Sequence, residues 1–416
     1  MMNGWDRRAF LAAASAAAGA LAMPRVAFAG TGGDRRFVFV VLRGALDGLA
    51  AVPAYGDPHY AALRSDLALP PPGASGGVLA LDDLFGLHPS LEFLAECHAA
   101  GELCVAHAVA TPYRERSHFD AQNVLETGAA RPYALPDGWL NRALGALPLG
   151  RASSPGVALG PDVPLVMRGA TPVISWSPSR LPPVDDDTLD RLSDLYAHDD
   201  VLGRRLADAL SAESALPVEA ASESAMQAPS ARDRGARRRR VASNGRARAA
   251  SGEIIRAAAG FLARNDGPVA AALDIGGWDT HANERGALRL RLAALDAALR
   301  SFKTALGTTW QHTVVVVATE FGRTAAANGT GGTDHGTAGA AFVLGGAVQG
   351  GRVIADWPGL AARDLYEGRD LRPTLDLRSV LKGVLGEHLG VPAAALERSV
   401  FPESRAAAPL DGLVKA

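Results

Sequence analysis

Residues 313–319, with the sequence TVVVVAT, constrain the fold of this chain more than any other stretch. β-Branched residues favour extended backbone, and a strand with one face in water would alternate apolar with polar residues. This run does not alternate, so both faces of the strand must be covered by other parts of the chain. Strands of this kind are typical of parallel sheets that carry helices on both sides.

Strand-like and helix-like segments alternate along the chain, which is the pattern of an α/β protein. Further apolar segments predict strands at residues 35–42, 102–109 and 268–275, with edge or hairpin strands at 340–346 and 352–357.

Two later segments carry the periodicity of helices. Apolar residues spaced by three or four positions predict a long helix between residues 282 and 306. Residues 377–390 show a similar pattern and end at a glycine. We therefore expect an α/β fold with three layers, α/β/α, around a mostly parallel central sheet.

The composition limits the classes of protein to which the chain can belong. It has 416 residues, of which 48% are hydrophobic and 21% charged, so it can bury a large core. The formal net charge is −2, which gives no general attraction to nucleic acid, and no nucleic-acid partner is expected. Cys97 and Cys104 are too few for a disulfide framework or a cysteine-rich metal site.

The N-terminal residues 1–29 are predicted to be an export signal. Arg7 and Arg8 precede an alanine-rich apolar run, and the small residues Ala27-Phe28-Ala29 are typical of a cleavage site. The pattern resembles a twin-arginine signal, and the apolar run is too short and too alanine-rich to span a bilayer. We expect a periplasmic or secreted protein with no stable membrane insertion.

The remaining residues, 30–416, are predicted to form a single domain with one disordered insertion. Residues 211–252 are rich in Ala, Ser, Pro and Arg and contain almost no large apolar residues, so they cannot offset the entropy lost on ordering. The arginines at 237–240 could bind acidic surfaces, and polyanion binding is therefore a further hypothesis.

Polar side chains follow four of the predicted strands, at the edge where α/β proteins bind ligands. They are Asp47 after the first strand, Ser117, His118 and Asp120 after the second, Asp279 and His281 after the third, and Glu320, Arg323, Asp334 and His335 after the fourth. Crowded carboxylates repel one another, and a divalent cation removes that penalty. Carboxylate and imidazole ligands together suit zinc or manganese. We expect one or two ions, held by Asp47, Asp279, His281, Glu320, Asp334 and His335.

Three of these positions also have structural explanations that the sequence leaves open. Asp279 could cap the N-terminus of the long helix, and Glu320 could form an ion pair with Arg323 instead of binding metal. Ser117 could be a nucleophile at a helix N-terminus, an N-cap, or a support for a reactive or metal-binding His118.

Several segments resemble the DUF1501 family of bacterial secreted proteins over nearly the whole mature sequence. They include LRGALDGL, SHFDAQNVLETG, IGGWDTH, TEFGRT and NGTGGTDHG. More distantly, the family is similar to the alkaline phosphatase/sulfatase superfamily, in which a parallel sheet carries a two-metal centre. The resemblance implies an alkaline-phosphatase-like fold and metal chemistry. It implies no particular activity, because the family is described as uncharacterised.

The resemblance also assigns roles to individual positions. Asp47 matches the first metal aspartate of the superfamily, Asp279 and His281 match a ligand pair, and His335 matches the final histidine. Residues 117–128 match the segment whose helix N-terminus bears the nucleophile.

Two departures from the superfamily pattern matter for the chemistry. Glu320-Phe321 stands where the superfamily usually has Asp-His, so one ligand is lost. This loss implies a single metal, or a second site completed by His118, Asp120 or Asp334. The residues after Ser117 also lack the formylglycine-type sulfatase signature, which argues against conventional sulfatase chemistry.

Two functions remain as hypotheses. The first is an exported metal-dependent hydrolase or phosphoryl/sulfuryl-transfer enzyme that acts on a small anionic ester. Ser117 and His118 would be its catalytic groups, and Arg323 or Arg116 would hold the anion. The second is a non-catalytic exported protein that retains the fold and uses its surface for binding or for assembly with a protein partner, as the loss of a histidine at Phe321 favours.

Overall fold

The computed structural model describes residues 35–148, 154–160, 162–178 and 253–415, together with short pieces between 191 and 206. The predicted export signal at 1–29 and the predicted insertion at 211–252 lie outside the described residues. Among the helices of the described part, none has both the length and the apolar character that a membrane span requires.

The described strands form one large sheet and one small hairpin. In chain order they are β1 (Arg36–Arg43), β2 (Leu79–Ala80), β3 (Gly86–Leu87), β4 (Leu103–Ala110), β5 (Gly156–Leu159), β6 (Val173–Trp176), β7 (Ala270–Gly276), β8 (Thr313–Ala318), β9 (Gly339–Leu344), β10 (Arg352–Ile354) and β11 (Leu375–Asp376). The large sheet has the order β10-β4-β9-β8-β1-β7-β5-β6, with β11 also paired to β4, and β2 pairs with β3 separately.

The helices lie between these strands. In chain order they are α1 (Gly48–Ala51), α2 (Tyr60–Arg64), α3 (Glu92–Ala99), α4 (His118–Thr127), α5 (Trp139–Gly145), α6 (residues 253–262), α7 (Glu284–Leu306), α8 (Leu377–Val384) and α9 (Ala393–Ala395). The predicted helices at 282–306 and 377–390 are confirmed, the second as α8 and a π-helical segment, Leu385–Leu389, that ends at Gly390.

Helices cover the sheet on both faces, as the non-alternating strands require. Along β1, the side chains of Val38, Val40 and Leu42 pack into one core with α3, α6 and α7. The intervening side chains of β1 pack into a second core with α4, α5 and α8. The expected α/β fold with three layers and a mostly parallel sheet is therefore confirmed.

One strand differs from its predicted position. Residues 340–346 were expected to add an edge or hairpin strand, but β9 lies inside the sheet, antiparallel to both β4 and β8. All six of its residues are buried, so its apolar sequence is that of a central strand. Because β9 is antiparallel to both of its neighbours, β4 and β8 run parallel to each other. The carboxyl ends of β1, β4, β7 and β8 therefore meet at one edge.

The N-terminus of α3 depends on a carboxylate from another helix. Its N-cap residue, Leu91, has no side chain that can accept a hydrogen bond. The buried carboxylate of Asp296, on α7, instead accepts from the backbone N–H groups of Phe93 and Leu94, both at 3.0 Å. Asp296 thus supplies the cap and joins α7 to α3.

We expect Asp296→Ala to lower the free energy of unfolding by about 1–3 kcal/mol, because two buried N–H donors lose their acceptor. Chemical denaturation measures this loss. Arg289→Ala, on the exposed side of the same helix, is the control and should change stability by less than about 0.5 kcal/mol. Equal effects of the two variants would contradict the assignment of the cap.

Candidate metal centre

Three loops and one helix N-terminus bring polar side chains together at the carboxyl edge of the sheet. His118 is the first residue of α4, which follows β4, and Asp279 and His281 follow β7. Glu320 follows β8, and His335 lies in the loop before β9, where its backbone pairs with that of Arg323. Segments that are far apart in the sequence therefore deliver their side chains to one location.

The nitrogen atoms of three histidines and one carboxylate oxygen converge closely. The Nε2 atom of His335 lies 3.0 Å from Nε2 of His118 and 3.0 Å from Nε2 of His281. The Oδ1 atom of Asp279 lies 2.9 Å, 3.2 Å and 3.6 Å from Nε2 of His281, His335 and His118. Ligands about 2.0–2.1 Å from a tetrahedral zinc ion are separated by about 3.3 Å, so these spacings suit a bound cation.

The other ring nitrogen of each histidine faces a group that accepts hydrogen bonds. His118 Nδ1 lies 2.7 Å from Glu320 Oε1, and His335 Nδ1 lies 3.1 Å from the carbonyl oxygen of Arg116. His281 Nδ1 lies 3.4 Å from Asp334 Oδ1. A carbonyl or carboxylate can only accept, so each of these partners can take a proton from Nδ1, and in that tautomer the lone pair of the neutral ring is on Nε2.

This pattern leaves acceptors facing acceptors. With the protons on Nδ1, three Nε2 lone pairs and the Asp279 carboxylate point at one region, and the neutral histidines have no proton to place among them. Proteins commonly orient metal-binding histidines through carboxylates and carbonyls in this way. The donor set therefore fits a divalent cation. Among the described residues, His118, Asp279 and His335 form a group whose ligand atoms all lie within 4.8 Å of one another, and His281 Nε2 adjoins two of them.

Burial and hydrogen bonding shift the protonation of this cluster. The hydrogen bond to Glu320 raises the pKa of His118, whereas burial and the charge of His118 lower the pKa of His335. Burial alone would raise the pKa of Asp279, but the Arg323 guanidinium holds it below its usual range. Asp279 is thus an anion at neutral pH, and a proton on His118 competes with a cation for the same lone pairs.

Glu320 does not form the ion pair with Arg323 that the sequence left open. Its buried carboxylate accepts from Gly44 N–H at 2.8 Å, from Gln122 Nε2 at 3.0 Å and from the Thr319 hydroxyl at 3.0 Å, in addition to His118. Burial would raise the pKa of Glu320, but these hydrogen bonds, led by that from His118, lower it. Glu320 therefore orients a histidine and lies behind the convergent Nε2 atoms.

Arg323 pairs with Asp279 instead. Its Nη1 atom lies 2.6 Å from Asp279 Oδ1, and its other nitrogens donate to the hydroxyl and carbonyl oxygens of Thr333. The side chain is fully buried, so no face of the guanidinium is open to the anionic substrate that the sequence assigned to it. Asp279 is not the cap of α7 either, because that helix begins after Asn283.

The structure places Asp47 outside the convergent cluster. Its buried carboxylate lies 2.5 Å from Arg64 Nη2 and accepts from Ala50 N–H at the start of α1. Burial would raise the pKa of Asp47, but the Arg64 charge holds it below its usual range. Asp47 was expected to bind metal because it follows β1 at the same sheet edge as the other acids, but in the structure the cation beside it is Arg64.

Ser117 occupies the N-cap position of α4, but its hydroxyl makes no capping hydrogen bond. Asp120 does not complete a capping box, since its Oδ2 atom lies 3.2 Å from the Tyr113 hydroxyl. Arg116 binds Asp370 and Glu367 through its guanidinium. The N-cap explanation of Ser117 therefore lacks its hydrogen bond, while the hydroxyl lies one residue from His118.

Several residues of the centre were missed by sequence reasoning. Arg64 and Gln122 lie on short helices with no local feature that marks them, and Glu284 reads as an ordinary first-turn acid of α7. Gly44 is different, because its φ of +115° and the clash of any Cβ with the Asp279 backbone N at 2.6 Å make glycine necessary there. Gly44 and Gly48, which flank Ala45-Leu46-Asp47, are the feature of the sequence that could have indicated this close approach.

A model of the family described as "Protein of unknown function (DUF1501)" matches residues 34–400. Among curated proteins, no match was found. Among solved structures, the chain is similar to a candidate sulfatase from Bacteroides thetaiotaomicron VPI-5482, with a TM-score of 0.41, 12% identity and coverage of 92% of this chain and 76% of that chain.

Two further solved structures are similar at the same level. Ps i-CgsB in complex with k-i-k-neocarrahexaose has a TM-score of 0.40 and 9% identity, covering 86% of this chain and 72% of that chain. The phosphonate monoester hydrolase of Agrobacterium radiobacter has a TM-score of 0.35 and 11% identity, covering 86% and 74%.

A second buried acid lies beside Asp47 and leads to a pH prediction. Glu284 Oε2 accepts from the Thr333 hydroxyl at 2.7 Å, while Oε1 has no donor among the described residues. Burial, with the nearby charge of Asp47, raises the pKa of Glu284 to about 9. A proton on Glu284 therefore joins the two carboxyl groups at neutral pH.

We expect the free energy of unfolding to fall as pH rises from about 5 to 9, by about 1.4 kcal/mol per unit from this group. The folded state holds a proton that the unfolded state releases, so stability is greatest below the unfolded pKa. Glu284→Gln mimics the protonated acid and should flatten this slope in denaturation curves, whereas the exposed Glu115→Gln should not. An unchanged slope in Glu284→Gln would refute the assignment.

Proposed function

Because the chain belongs to the DUF1501 family, whose function is unknown, we propose a function from its own residues: a metal-dependent hydrolase or phosphoryl/sulfuryl-transfer enzyme for a small anionic ester. The observation that supports it is the convergence of three Nε2 lone pairs and the Asp279 carboxylate. Clusters of oriented histidines at the carboxyl edge of an α/β sheet are typical of catalytic metal sites.

His118, Asp279, His281 and His335 would hold the ion. Three imidazoles make the ligand set rich in nitrogen. Such a set favours zinc over magnesium or calcium, and also over manganese. A zinc ion bound there would act as a Lewis acid on the ester and would lower the pKa of the attacking hydroxyl group.

The chain's own groups would bind and orient the ester. Ser117 is the proposed nucleophile, because its hydroxyl is not used by α4 and lies at the positive end of that helix. His118 contributes as a ligand rather than as a free base, since its Nδ1 is bonded to Glu320 and its Nε2 is one of the convergent atoms. Arg369, half-exposed and hydrogen-bonded to the carbonyl oxygen of His335, replaces the buried Arg323 as the group that holds the anion.

The site of action is proposed to be the periplasm or the exterior, as the N-terminal segment predicts. A second candidate function, a non-catalytic binding protein, is favoured by the exposed aromatic side chains of Phe119 and Tyr133, which are 82% and 69% exposed. Phe119 adjoins the ligand His118, so a partner bound there would cover the centre. Metal binding with no turnover of any ester, together with a stable complex, would support this second function.

We expect the purified protein to retain zinc and His335→Gln to lose it, because that ring has close contacts with three other ligands. Elemental analysis after dialysis measures the metal, and a screen of aryl phosphates, phosphodiesters and sulfate esters measures turnover. His312→Gln, at the far end of β8, is the control and should retain the metal. A wild-type protein without metal under zinc saturation would eliminate the proposed function.

We expect Glu320→Gln to weaken zinc binding by about 10- to 100-fold, because the neutral amide no longer increases the basicity of His118. Competition with a chromophoric chelator measures the dissociation constant. Glu367→Gln, which removes a carboxylate at the same edge that contacts Arg116 and no histidine, serves as the control. Equal affinities in the wild type and Glu320→Gln would show that the Glu320 contact does not support metal binding.

A further inference from the structure

The buried pair of Asp47 and Arg64 raises the question of how many ions the centre holds. Asp47 follows β1 at the same sheet edge, and an unpaired buried carboxylate there would call for a cation of its own. Arg64 fills that need at 2.5 Å, and both side chains are at most 2% exposed. A guanidinium keeps its charge at any pH at which the protein folds, so this cation is permanent.

Arg64 is also anchored by the backbone of the next loop. Its Nη1 atom contacts the carbonyl oxygens of Thr324 and Ala325 at 3.4 Å and 3.3 Å. This loop directly follows Arg323, whose own guanidinium holds Asp279. The carbonyl contacts fix Arg64 against Asp47, so the carboxylate cannot exchange it for a solvent ion without moving the loop.

The two arginines belong to one buried chain of contacts. Glu284 lies beside Asp47 and accepts from Thr333, whose hydroxyl in turn accepts from Arg323 Nε at 3.2 Å. Two fixed positive charges, Arg64 and Arg323, therefore flank the region on the Asp47 side. A second divalent ion placed there would be repelled by both arginines. It would find two carboxyl groups, Asp47, already paired with Arg64, and Glu284, already bonded to Thr333.

The other buried carboxylates at this edge also have donors, although Oε1 of Glu284 and Oδ1 of Asp370 have none among the described residues. Glu320 has its four hydrogen bonds, and Asp370 is paired with Arg116. Arg43 bonds Asp274 and Glu126, both at 2.8 Å. Among the described residues at this edge, the convergent lone pairs that lack donors are those of the three Nε2 atoms.

We infer that Arg64 stands in for a second metal ion at Asp47, so that the centre holds one divalent cation and not two. This inference rests on the proposed function, because it concerns the composition of the same centre. It also changes the role of Asp47, which positions α1 and the loop at 324–325 through Arg64 and contacts no ion. The Arg64 guanidinium, which is part of the chain, thus takes the place of an exchangeable metal ion.

The stoichiometry of metal binding tests the inference without any activity assay. Calorimetric titration of metal-stripped protein with zinc, followed by elemental analysis after dialysis, should give one equivalent per chain. Asp47→Asn should also bind one equivalent, whereas His335→Gln should bind none. Two equivalents in the wild type, with one lost in Asp47→Asn, would overturn the inference and leave the proposed function intact. No bound zinc in the wild type would overturn both.

A pair of variants tests the replacement directly. Arg64→Ala removes the internal cation and leaves Asp47 in an open cavity, so this variant should take up a second equivalent of zinc or manganese and should melt at a higher temperature when the ion is added. Arg64→Lys retains a positive charge and should remain at one equivalent. If Arg64→Ala folds and binds a single equivalent, the pocket does not accept a metal ion and the replacement is refuted; if it does not fold, the wild-type stoichiometry decides.

Discussion

Hydrogen bonds donated by the Nδ1 atoms of three histidines are the constraint on which this centre depends. Glu320, the carbonyl oxygen of Arg116 and Asp334 can each accept from a different histidine, which lets each ring present its lone pair through Nε2. Without those acceptors the rings could exchange a proton among themselves and would need no cation. The orientation of the three rings, and with it the metal binding that we propose, therefore depends on the groups behind the histidines.

The fold makes these hydrogen bonds possible by bringing distant segments to one sheet edge. β4, β7 and β8 end there. The antiparallel strand β9 begins at the same edge, so His335, in the loop between β8 and β9, also lies in the cluster. The absence of a side chain at Gly44 lets the loop after β1 approach the Asp279 backbone closely. Buried arginines then neutralise the remaining acids, so that carboxylates can be packed densely beside the cluster.

Sequence patterns predicted the frame well because its signals are local. The run at 313–319 and the heptad-like spacing in α7 each depend on neighbours in the chain, and both elements form as expected. The pairing of charges could not be predicted in this way, because it depends on which residues meet in the folded protein. Arg64 and Arg323 could each have paired with any of several acids. Sequence alone could not show that Arg323 takes Asp279 rather than Glu320, or that Arg64 takes Asp47. The short strands β5 and β6, with four residues each, carry too little periodicity to be recognised.

The central claim is that imidazole nitrogens, aligned by their own hydrogen bonds, form a cation site. X-ray absorption at the zinc edge of the loaded protein reads the ligand atoms directly. The structure predicts a first shell of nitrogen and oxygen at about 2.0–2.1 Å, with the outer-ring scattering of three imidazoles. A shell of oxygen atoms alone, or one with fewer than two imidazoles, would contradict it.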